Sequence, residues 1–250
     1  MTVKKAFCLV SIAPVRAEAS DTSEIVTQLL FGELVEVYET YHPWSKIITL
    51  YDAYEGFVDH KHLRFLSDKE VRRWREGLSF QWERELKIST PWGLQRTCRG
   101  SFLPENGLSF NIGGNAFSIL SEREDAPKTI IECAKDYLNT PYLWGGKSPF
   151  GIDCSGYTQI VYRLFDRNLP RDASAQVEHG RIISFDEIEA GDLAYFTNNS
   201  GKVTHVGILD GEGGIYHASG YVRLDRITPE GIIHAESEAL THSLHLLKRM

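Results

Sequence analysis

Short apolar runs broken by turn residues dominate the first quarter of the chain. They have the composition of β-strands and lie at residues 7–10, 25–30, 33–38, 45–49 and 56–59. Strands that are this short and this closely spaced are typical of a small β-barrel. The pattern therefore predicts a barrel over residues 1–65.

The same segment resembles a bacterial SH3 (SH3b) domain along its full length. The elements that carry the resemblance occur in order, and they are Ala13-Pro14-Val15-Arg16, Ser23-Glu24-Ile25-Val26-Thr27-Gln28, Gly32-Glu33, Trp44-Ser45-Lys46-Ile47 and Gly56-Phe57-Val58. The resemblance implies an SH3-like β-barrel, a fold that often binds cell-wall glycopeptide.

A short helix and a second group of brief strands are predicted to follow. Ser67 and Glu70 have the spacing of a capping box, and Val71 and Trp74 fall on one face of the helix. Between residues 86 and 120 the apolar runs are short and punctuated by glycine. We predict a linker helix and a divergent second SH3b barrel over residues 66–124. An irregular insertion is the alternative.

A third domain is predicted over residues 125–250. Asp125-Ala126-Pro127 predicts a helix start, and a second helix is predicted to begin at Asp153-Cys154-Ser155. The predicted buried faces are Ile130, Ile131, Ala134, Tyr137 and Leu138 on the first helix and Tyr157, Ile160, Val161, Leu164 and Phe165 on the second. Strands are predicted at 192–196, 203–209, 214–218 and 243–247. Helices followed by consecutive strands indicate an α+β domain with an antiparallel sheet.

The composition is that of a folded globular protein. Apolar residues make up 42% of the 250 residues, aromatic residues 11% and charged residues 24%. The 27 basic and 34 acidic residues give a net charge of −7. This charge excludes a protein whose main task is to neutralise nucleic-acid phosphates or anionic lipid. We therefore predict neither a nucleic-acid nor a membrane partner. Local cations such as Lys147 or Arg171 would have to offset this charge for a substrate that carries carboxylates.

The cysteine pattern and the N-terminal segment favour a cytoplasmic location. The four cysteines are scattered, without the spacing of a zinc site or a disulfide framework. An apolar stretch at 6–15 follows two lysines as in a signal peptide, but Pro14 interrupts it. No run approaches the ~18 apolar residues of a membrane span. We predict a cytoplasmic protein without a transmembrane segment.

Cys154 is the candidate nucleophile. It lies in the first turn of a predicted amphipathic helix, where unpaired backbone N–H groups and the helix dipole stabilise a thiolate. The other three cysteines, Cys8, Cys98 and Cys133, are interpreted as small buried apolar residues.

His205 and His217 are the candidate base and its partner. They lie in a predicted strand-turn-strand unit, and a turn that pairs positions whose numbers sum to an even value places both on one face of the sheet. One imidazole would then orient the other, as a nucleophilic cysteine requires. A metal site of Cys154, His205 and His217 is the alternative, with suitable ligand types but no fourth ligand at a recognisable spacing.

The second half of the chain, residues 126–250, resembles the NlpC/P60 cysteine peptidases. The matching motifs are Tyr142-Leu143-Trp144-Gly145-Gly146, Ile152-Asp153-Cys154-Ser155-Gly156, Pro170-Arg171-Asp172-Ala173-Ser174-Ala175-Gln176, Gly191-Asp192-Leu193, Thr204-His205-Val206-Gly207-Ile208 and Tyr216-His217-Ala218-Ser219-Gly220. The resemblance implies a papain-like α+β fold and cleavage of bacterial cell-wall peptides, commonly at γ-D-glutamyl linkages to a diamino acid. It implies that Cys154 is the nucleophile, His205 the base and His217 its orienting partner. Tyr142 would help to hold the oxyanion.

Together with the SH3b segment, the chain resembles the γ-D-glutamyl-L-diamino acid dipeptidyl-peptidases that recycle wall peptides. That subgroup, which includes dipeptidyl-peptidase VI, acts on peptides with a free N-terminal L-Ala and releases L-Ala-γ-D-Glu. The resemblance implies that Asp153 and Ser155 bind the amino group and that Tyr54, in the first SH3b domain, closes the pocket. We predict no cofactor and no metal. The diamino acid, meso-diaminopimelate or L-lysine, and the oligomeric state stay open.

Three other functions compete with this one. A secreted, wall-anchored endopeptidase would act on intact peptidoglycan, and equal cleavage of N-acetylated and free peptides would indicate it. An inactive wall-binding protein would not need Cys154, His205 and His217 together. An acyltransferase of related fold would share the cysteine and histidine chemistry without SH3b domains.

Overall fold

The computed structural model describes residues 3–250, and the chain divides into two compact units. Unit 1 comprises Met1–Ala126 and unit 2 comprises Pro127–Met250. Strands predominate in both units, and the helices are few and short. Each unit is described below by itself.

Seven antiparallel strands form the first sheet of unit 1. They are β1 (Lys4–Cys8), β2 (Ile12–Arg16), β3 (Ile25–Leu30), β4 (Leu34–Tyr41), β5 (Trp44–Thr49), β6 (Glu55–Asp59) and β7 (Leu63–Leu66), with a 3-10 turn at His60–His62. Their order in the sheet is β3-β2-β6-β5-β4-β1-β7. Each of the five predicted runs overlaps one of these strands. Mostly aliphatic side chains on one face of the sheet form a buried core.

Helix α1 (Asp68–Arg75) follows, and its predicted capping box is confirmed. The Ser67 hydroxyl accepts the N–H of Glu70 at 3.3 Å, and the Glu70 carboxylate accepts the N–H of Ser67 at 2.8 Å. Val71 and Trp74 are both buried, as predicted. The Trp74 indole N–H donates to the carbonyl of Gly32 at 2.9 Å, which fixes the helix against the first sheet.

The remaining strands of unit 1 share their core with the first sheet. They are β8 (Leu78–Phe80), β9 (Glu85–Thr90), β10 (Gly93–Cys98), β11 (Phe102–Pro104), β12 (Ser109–Ile112) and β13 (Asn115–Ile119). They pair as a four-stranded sheet, β10-β9-β13-β12, and a two-stranded ribbon, β11-β8. Phe7 of β1 and Phe31, which directly follows β3, belong to one cluster with Trp74, Phe110 and Phe117. The two groups of strands therefore share one core, and a relation of residues 66–124 to SH3 domains stays a prediction.

Unit 2 begins with a helix that is shorter than predicted. The first half of unit 2 contains α2 (Ile130–Lys135), β14 (Lys147–Ser148), β15 (Gly151–Ile152), α3 (Cys154–Arg163) and α4 (Ala173–Gln176). The predicted start at Asp125 is wrong, because Thr129 caps α2 by accepting the N–H of Glu132 at 3.1 Å. The helix ends at Lys135, and Leu138 is therefore exposed rather than buried.

An antiparallel sheet forms the body of unit 2, as predicted. Its strands are β16 (Arg181–Ile183), β17 (Leu193–Thr197), β18 (Val203–Leu209), β19 (Gly214–Ser219), β20 (Tyr221–Thr228), β21 (Gly231–Ile233) and β22 (Leu240–Arg249), with a 3-10 turn at Phe185–Glu187. The order is β16-β22-β17-β18-β19-β20-β21, and β21 also pairs with β22. This last pairing closes six strands into a ring, which the sequence pattern did not predict.

Helix α3 is enclosed on every side. All ten of its residues are buried, whereas the sequence predicted a single buried stripe. Two of its polar side chains are hydrogen-bonded inside the unit: Thr158 donates to Gln176 Oε1 at 2.8 Å, and Gln159 donates to the carbonyl of Leu169 at 3.0 Å. It is the longest helix of residues 3–250, and none of the helices there is long and apolar enough to cross a membrane.

We expect Trp74→Ala to lower the free energy of unfolding by about 3 to 5 kcal/mol, because the substitution empties the shared core of unit 1. Chemical denaturation followed by circular dichroism measures the change. Trp92→Ala is the matched control, since the Trp92 side chain is 49% exposed and its loss should cost less than about 1 kcal/mol. Equal losses for the two variants would contradict the shared core.

Candidate active site

The candidate nucleophile Cys154 is the first residue of α3, directly after its N-cap. Asp153 has extended backbone angles, and its Oδ1 accepts the N–H of Gly156 at 2.7 Å. A side chain at position 156 would place its Cβ 2.3 Å from the carbonyl oxygen of Gly146. Glycine at that position thus lets the preceding loop pass close to the helix and sets where the helix begins.

A buried arginine holds the start of this helix. Arg171 donates to Asp153 Oδ1 at 3.0 Å and to Asp153 Oδ2 at 2.6 Å, and its Nη1 also donates to the Ser155 hydroxyl at 3.0 Å. Gln176 donates to the carbonyl of Ser155 at 3.0 Å and to that of Pro170 at 2.8 Å. The motif 170–176 therefore acts as a clamp on the first turn of α3. Lys147, the other cation named from the sequence, is also buried.

The carboxylate of Asp153 is already fully hydrogen-bonded. Besides Arg171 and Gly156, the N–H of Gly145 donates to its Oδ2 at 2.9 Å. These contacts occupy about four acceptor positions, which is the capacity of a carboxylate. A substrate ammonium would therefore contact Asp153 only by replacing one of these donors.

The two candidate histidines are in direct contact. Ile208 pairs with Tyr216 and Leu209 with Ile215, so paired numbers sum to an even value and His205 and His217 lie diagonally on one face. His205 Nε2 lies 2.8 Å from His217 Nδ1. The predicted placement of the two rings on one face is confirmed.

Gly207 leaves the space for this pair. It stands opposite His217 in the register, and a Cβ at position 207 would lie 3.0 Å from the Cβ of His217 and 2.7 Å from Ile215. A larger residue would push the ring of His217 away from His205.

Asp225, on β20, is hydrogen-bonded to His217 and was not predicted from the sequence to belong to the site. His217 Nε2 lies 3.0 Å from Asp225 Oδ2, and Arg223 and the N–H of Ala235 donate to the same carboxylate at 2.9 Å. Despite burial, the hydrogen bonds from His217, Arg223 and Ala235 hold the pKa of Asp225 well below its usual range. The carboxylate is therefore ionised at neutral pH.

The contact with Asp225 determines which nitrogens carry protons. An ionised carboxylate only accepts, so Nε2 of neutral His217 carries hydrogen and its Nδ1 is an acceptor. His205 then donates from Nε2 to that Nδ1. The remaining nitrogen of His205, Nδ1, holds the lone pair that can take a proton.

His242, on β22, is a second residue that was not predicted to belong to the site. Its ring stacks on that of His205 with centroids 4.2 Å apart and an interplanar angle of 24°. It is half-buried, and its Nδ1 lies 2.9 Å from the Thr241 hydroxyl. It lies one residue before the strand predicted at 243–247, and only the pairing of β22 with β17 and β21 brings it to His205.

The sulfur of Cys154 lies beside the backbone of β18 on either side of His205. Sγ is 3.9 Å from the carbonyl oxygen of Thr204, and the N–H groups of Val206 and Ser155 face it. The structure thus brings Cys154 and the strand that carries His205 together.

The thiol and the imidazole are both neutral at rest. Burial, reinforced by the negative charge of Asp153, raises the pKa of Cys154 to about 12. Burial and the neighbouring rings of His217 and His242 lower the pKa of His205 well below its usual value. The sequence predicted a stabilised thiolate. Desolvation outweighs the backbone N–H groups that favour the charged form, and the sulfur stays protonated.

Tyr142 lies next to the helix start. It forms a parallel bridge with Ile152, and its N–H donates to the carbonyl of Gly220 at 2.9 Å. Burial raises the pKa of the half-buried phenol, and the negative charge that Cys154 acquires at high pH, together with that of Asp153, raises it further. Tyr142 is therefore a protonated donor near Cys154.

Tyr54 belongs to unit 1, where it lies between β5 and β6. Its N–H donates to the Thr49 hydroxyl at 2.8 Å, and the residue is half-buried. Its predicted role at the pocket stays a prediction.

The models of two protein families match the chain. The model of the NlpC/P60 family matches residues 139–237. The model of the bacterial dipeptidyl-peptidase SH3 domain matches residues 15–63. The resemblance seen in the sequence is thereby confirmed for one domain in each unit.

Two relatives carry the same name. The γ-D-glutamyl-L-lysine dipeptidyl-peptidase of Bacillus subtilis (strain 168) is 37% identical over 101 residues, which cover 40% of this chain and 34% of that protein. The γ-D-glutamyl-L-lysine dipeptidyl-peptidase of Bacillus cereus (strain ATCC 10987) is 26% identical over 239 residues, which cover 84% of this chain and 72% of that protein. The chain thus matches about a third of the first relative and most of the second.

The fold is also similar to a crystal structure of an NlpC/P60 family protein from Bacillus cereus ATCC 10987. The TM-score is 0.79 at 21% identity, and the match covers 98% of this chain and 99% of that one. At this level of identity the likeness shows the fold alone.

We expect alkylation of Cys154 by iodoacetamide to accelerate about tenfold per pH unit between pH 7 and 9, because the thiolate fraction of a group with a pKa of about 12 grows tenfold per unit below that pKa. Mass spectrometry of the peptide that contains Cys154 measures the rate, with a free thiol as the reference for reagent stability. A rate that is constant from pH 5 to 8 would indicate a thiolate–imidazolium pair and would contradict the neutral resting state.

We expect Arg171→Met to lower the free energy of unfolding by about 3 to 5 kcal/mol, because it leaves the buried Asp153 carboxylate without its cation. Arg226→Met is the matched control: Arg226 and Glu238 are largely exposed, and their separation should cost less than about 1 kcal/mol. Denaturant unfolding compares the two variants.

The double variant Arg171→Met with Asp153→Asn should lose less free energy of unfolding than the sum of the losses of the two single variants. Strict additivity of the losses would contradict the pairing.

Proposed function

Since the chain carries an NlpC/P60 domain and a bacterial dipeptidyl-peptidase SH3 domain, we propose that it is a cysteine peptidase acting on cell-wall peptides at the bond between γ-D-glutamate and a diamino acid. The observation that carries the proposal is the position of the Cys154 sulfur at the start of α3, beside the strand that carries His205. The ring of His205 is hydrogen-bonded to His217, which in turn is hydrogen-bonded to Asp225. The names of the two Bacillus relatives support the choice of bond.

In the first half of the reaction, the thiol of Cys154 passes its proton to His205 Nδ1 as the sulfur attacks the γ-carbonyl carbon. Transfer during attack is required because the resting groups are neutral. The imidazolium keeps its Nε2–H on His217, whose other nitrogen is held by ionised Asp225. These hydrogen bonds from His205 through His217 to Asp225 stabilise the positive charge of the imidazolium.

In the second half, the tetrahedral intermediate collapses and His205 returns the proton to the departing amine of the diamino acid. The acyl group, L-Ala-γ-D-Glu, stays on the sulfur as a thioester. A water molecule then loses a proton to His205 and attacks the thioester, and Cys154 recovers its proton. The negative oxygen of each intermediate is held by the backbone N–H of Cys154 and the hydroxyl of Tyr142.

Substrate selection completes the proposal. Ser155, beside the nucleophile, binds the free amine of the N-terminal L-Ala, with Asp153 supplying negative charge next to it. Arg171 partly neutralises Asp153, so the Ser155 hydroxyl is the more available acceptor. Recognition of a free amine is what makes such an enzyme a dipeptidyl-peptidase.

The finer fold class and the cellular role belong to the same proposal. A cysteine at the start of a helix, beside the backbone of an antiparallel strand that carries a histidine, is the arrangement expected of the papain-like fold. A free-amine requirement suits peptides already released from the wall, and hence recycling in the cytoplasm. The scattered cysteines, all of which are thiols, suit that compartment.

The decisive assay is hydrolysis of L-Ala-γ-D-Glu-L-Lys and of its meso-diaminopimelate counterpart by the purified chain. We expect release of L-Ala-γ-D-Glu, and we expect Cys154→Ala to reduce the rate about 10³-fold or more because no nucleophile remains. Cys133→Ala, which removes a buried thiol from α2, is the control that should keep the activity. A folded Cys154→Ala variant that cleaves like the wild type would refute the proposal.

Blocking the substrate amine separates the proposed function from its alternatives. N-acetylation removes a charge-assisted hydrogen bond of about 1.5 to 3 kcal/mol and should slow cleavage about 10- to 100-fold. Ser155→Ala should reduce the difference in rate between the free and the acetylated peptide, because the hydroxyl that binds the amine is gone. Equal rates on free and acetylated peptides would instead indicate an endopeptidase for intact wall, and no cleavage of either would indicate a wall-binding protein.

A further inference from the structure

Three imidazole rings from three different strands meet at the candidate site. They belong to His205 on β18, His217 on β19 and His242 on β22, and one ring nitrogen of each lies within 4.8 Å of the others. The peptidase reaction described above uses only two of them. The third ring, stacked on the first, has no role in that reaction.

We propose that His205, His217 and His242 form a binding site for a divalent transition-metal ion of the zinc class, and that the bound ion inhibits the enzyme. Neutral imidazoles are the preferred nitrogen ligands of such ions, and three of them with one open position are a frequent zinc set. The sequence offered only two histidines beside Cys154. The missing ligand is His242, which the closure of the sheet supplies from residues far along the chain.

The ligand atoms are determined by the other contacts of each ring. His217 uses Nε2 for Asp225, and His242 has Thr241 at Nδ1, so the other nitrogens, Nδ1 of His217 and Nε2 of His242, are the ones that would bind an ion. His205 contributes Nε2, which faces His217. A carboxylate behind one ring and a hydroxyl behind another are the partners that orient metal-bound histidines in proteins.

The rings must rearrange to accept an ion, because the nitrogens of His205 and His217 must separate and the ring of His242, which is stacked on His205, must turn its Nε2 toward the ion. His205 Nε2 and His217 Nδ1 are 2.8 Å apart, whereas two nitrogens on a tetrahedral zinc ion, each at 2.0 to 2.1 Å, are separated by about 3.3 Å. The ion thus replaces the hydrogen bond between the two rings. The fourth position remains for water or for the sulfur of Cys154.

Binding moves the proton that catalysis depends on. His205 can ligate through Nε2 only if that nitrogen has lost its hydrogen, so the neutral ring then carries its hydrogen on Nδ1. Nδ1 is the nitrogen that accepts the proton of Cys154 in the proposed reaction. The metal-bound enzyme therefore has no base, and the metal competes with catalysis for one tautomer. This inhibitory half of the inference rests on the proposed function, whereas the binding half does not.

The binding experiment uses the full chain, without a histidine tag, as the Cys154→Ala variant. This background removes the thiol, so that zinc–thiolate chemistry at Cys154 cannot contribute. Isothermal titration with Zn²⁺ should give about one equivalent bound, and Co²⁺ should give the visible absorption of a tetrahedral nitrogen site. Mg²⁺, which prefers oxygen ligands, should not bind there.

Two phenylalanine variants test the ligand set in that background. His242→Phe keeps the stacked ring but removes the nitrogen, and should weaken Zn²⁺ binding by about tenfold or more. His245→Phe changes an exposed histidine on the same strand and should leave binding unchanged. Thermal unfolding checks that each variant is folded, and His242→Gln replaces His242→Phe if the latter is not.

The outcomes are decisive. The metal site would be overturned if Cys154→Ala showed no saturable Zn²⁺ binding, or if a folded His242 variant bound Zn²⁺ as tightly as that background. It would also be overturned if the His245 variant lost as much Zn²⁺ affinity as the His242 variant. Inhibition of the wild-type peptidase by Zn²⁺ and its reversal by a chelator tests the second half. A chain that binds Zn²⁺ through His242 but shows no peptidase activity would keep the metal site and refute the proposed function instead.

Discussion

The buried pairing of Arg171 with Asp153 is the interaction on which the candidate site depends. It holds both oxygens of the residue that caps α3, and through the Ser155 hydroxyl it also reaches the residue after Cys154. Separating such a pair would leave a charge in a region where the whole helix is enclosed. The place where α3 begins, and hence the position of the sulfur, is therefore fixed by electrostatics as much as by packing.

The same enclosure determines how the site can react. Burial disfavours the charged forms of both Cys154 and His205, so the pair rests as thiol and imidazole rather than as two ions. In the proposed reaction, charge then appears only when a substrate carbonyl is attacked. The ionised Asp225 would compensate for the positive charge through His217, which gives a reason for a buried carboxylate on β20. In the proposed reaction, a resting enzyme without a thiolate is also protected from adventitious oxidation.

Local sequence signals predicted the parts of the structure that local physics determines. The capping box at Ser67, the start of α3 at Cys154 and the bounds of β18 follow from residues next to one another, and all three were predicted. Both histidines could be placed on one face because a short turn limits the possible registers. The start of α2 was misplaced because two nearby segments, at Asp125 and Thr129, both have capping chemistry.

The missing parts depend on long-range pairing. Asp225 lies in a strand with charged residues of both signs, which is also the pattern of a solvent-exposed strand. Only its buried contacts with His217 and Arg223 distinguish it from a surface carboxylate. His242 reaches the site because β22 pairs with β17 and β21 and closes the ring of strands. Neither pairing has a signal within the residues concerned, so no inspection of these segments alone could have found them.

A crystal structure of the Cys154→Ala variant with bound L-Ala-γ-D-Glu-L-Lys tests the central claim most directly. The account predicts that the γ-glutamyl carbonyl carbon lies over position 154, with His205 Nδ1 turned toward it and the hydroxyl of Tyr142 near its oxygen. A peptide bound with another bond at position 154, or with Nδ1 of His205 facing away from the carbonyl, would contradict it.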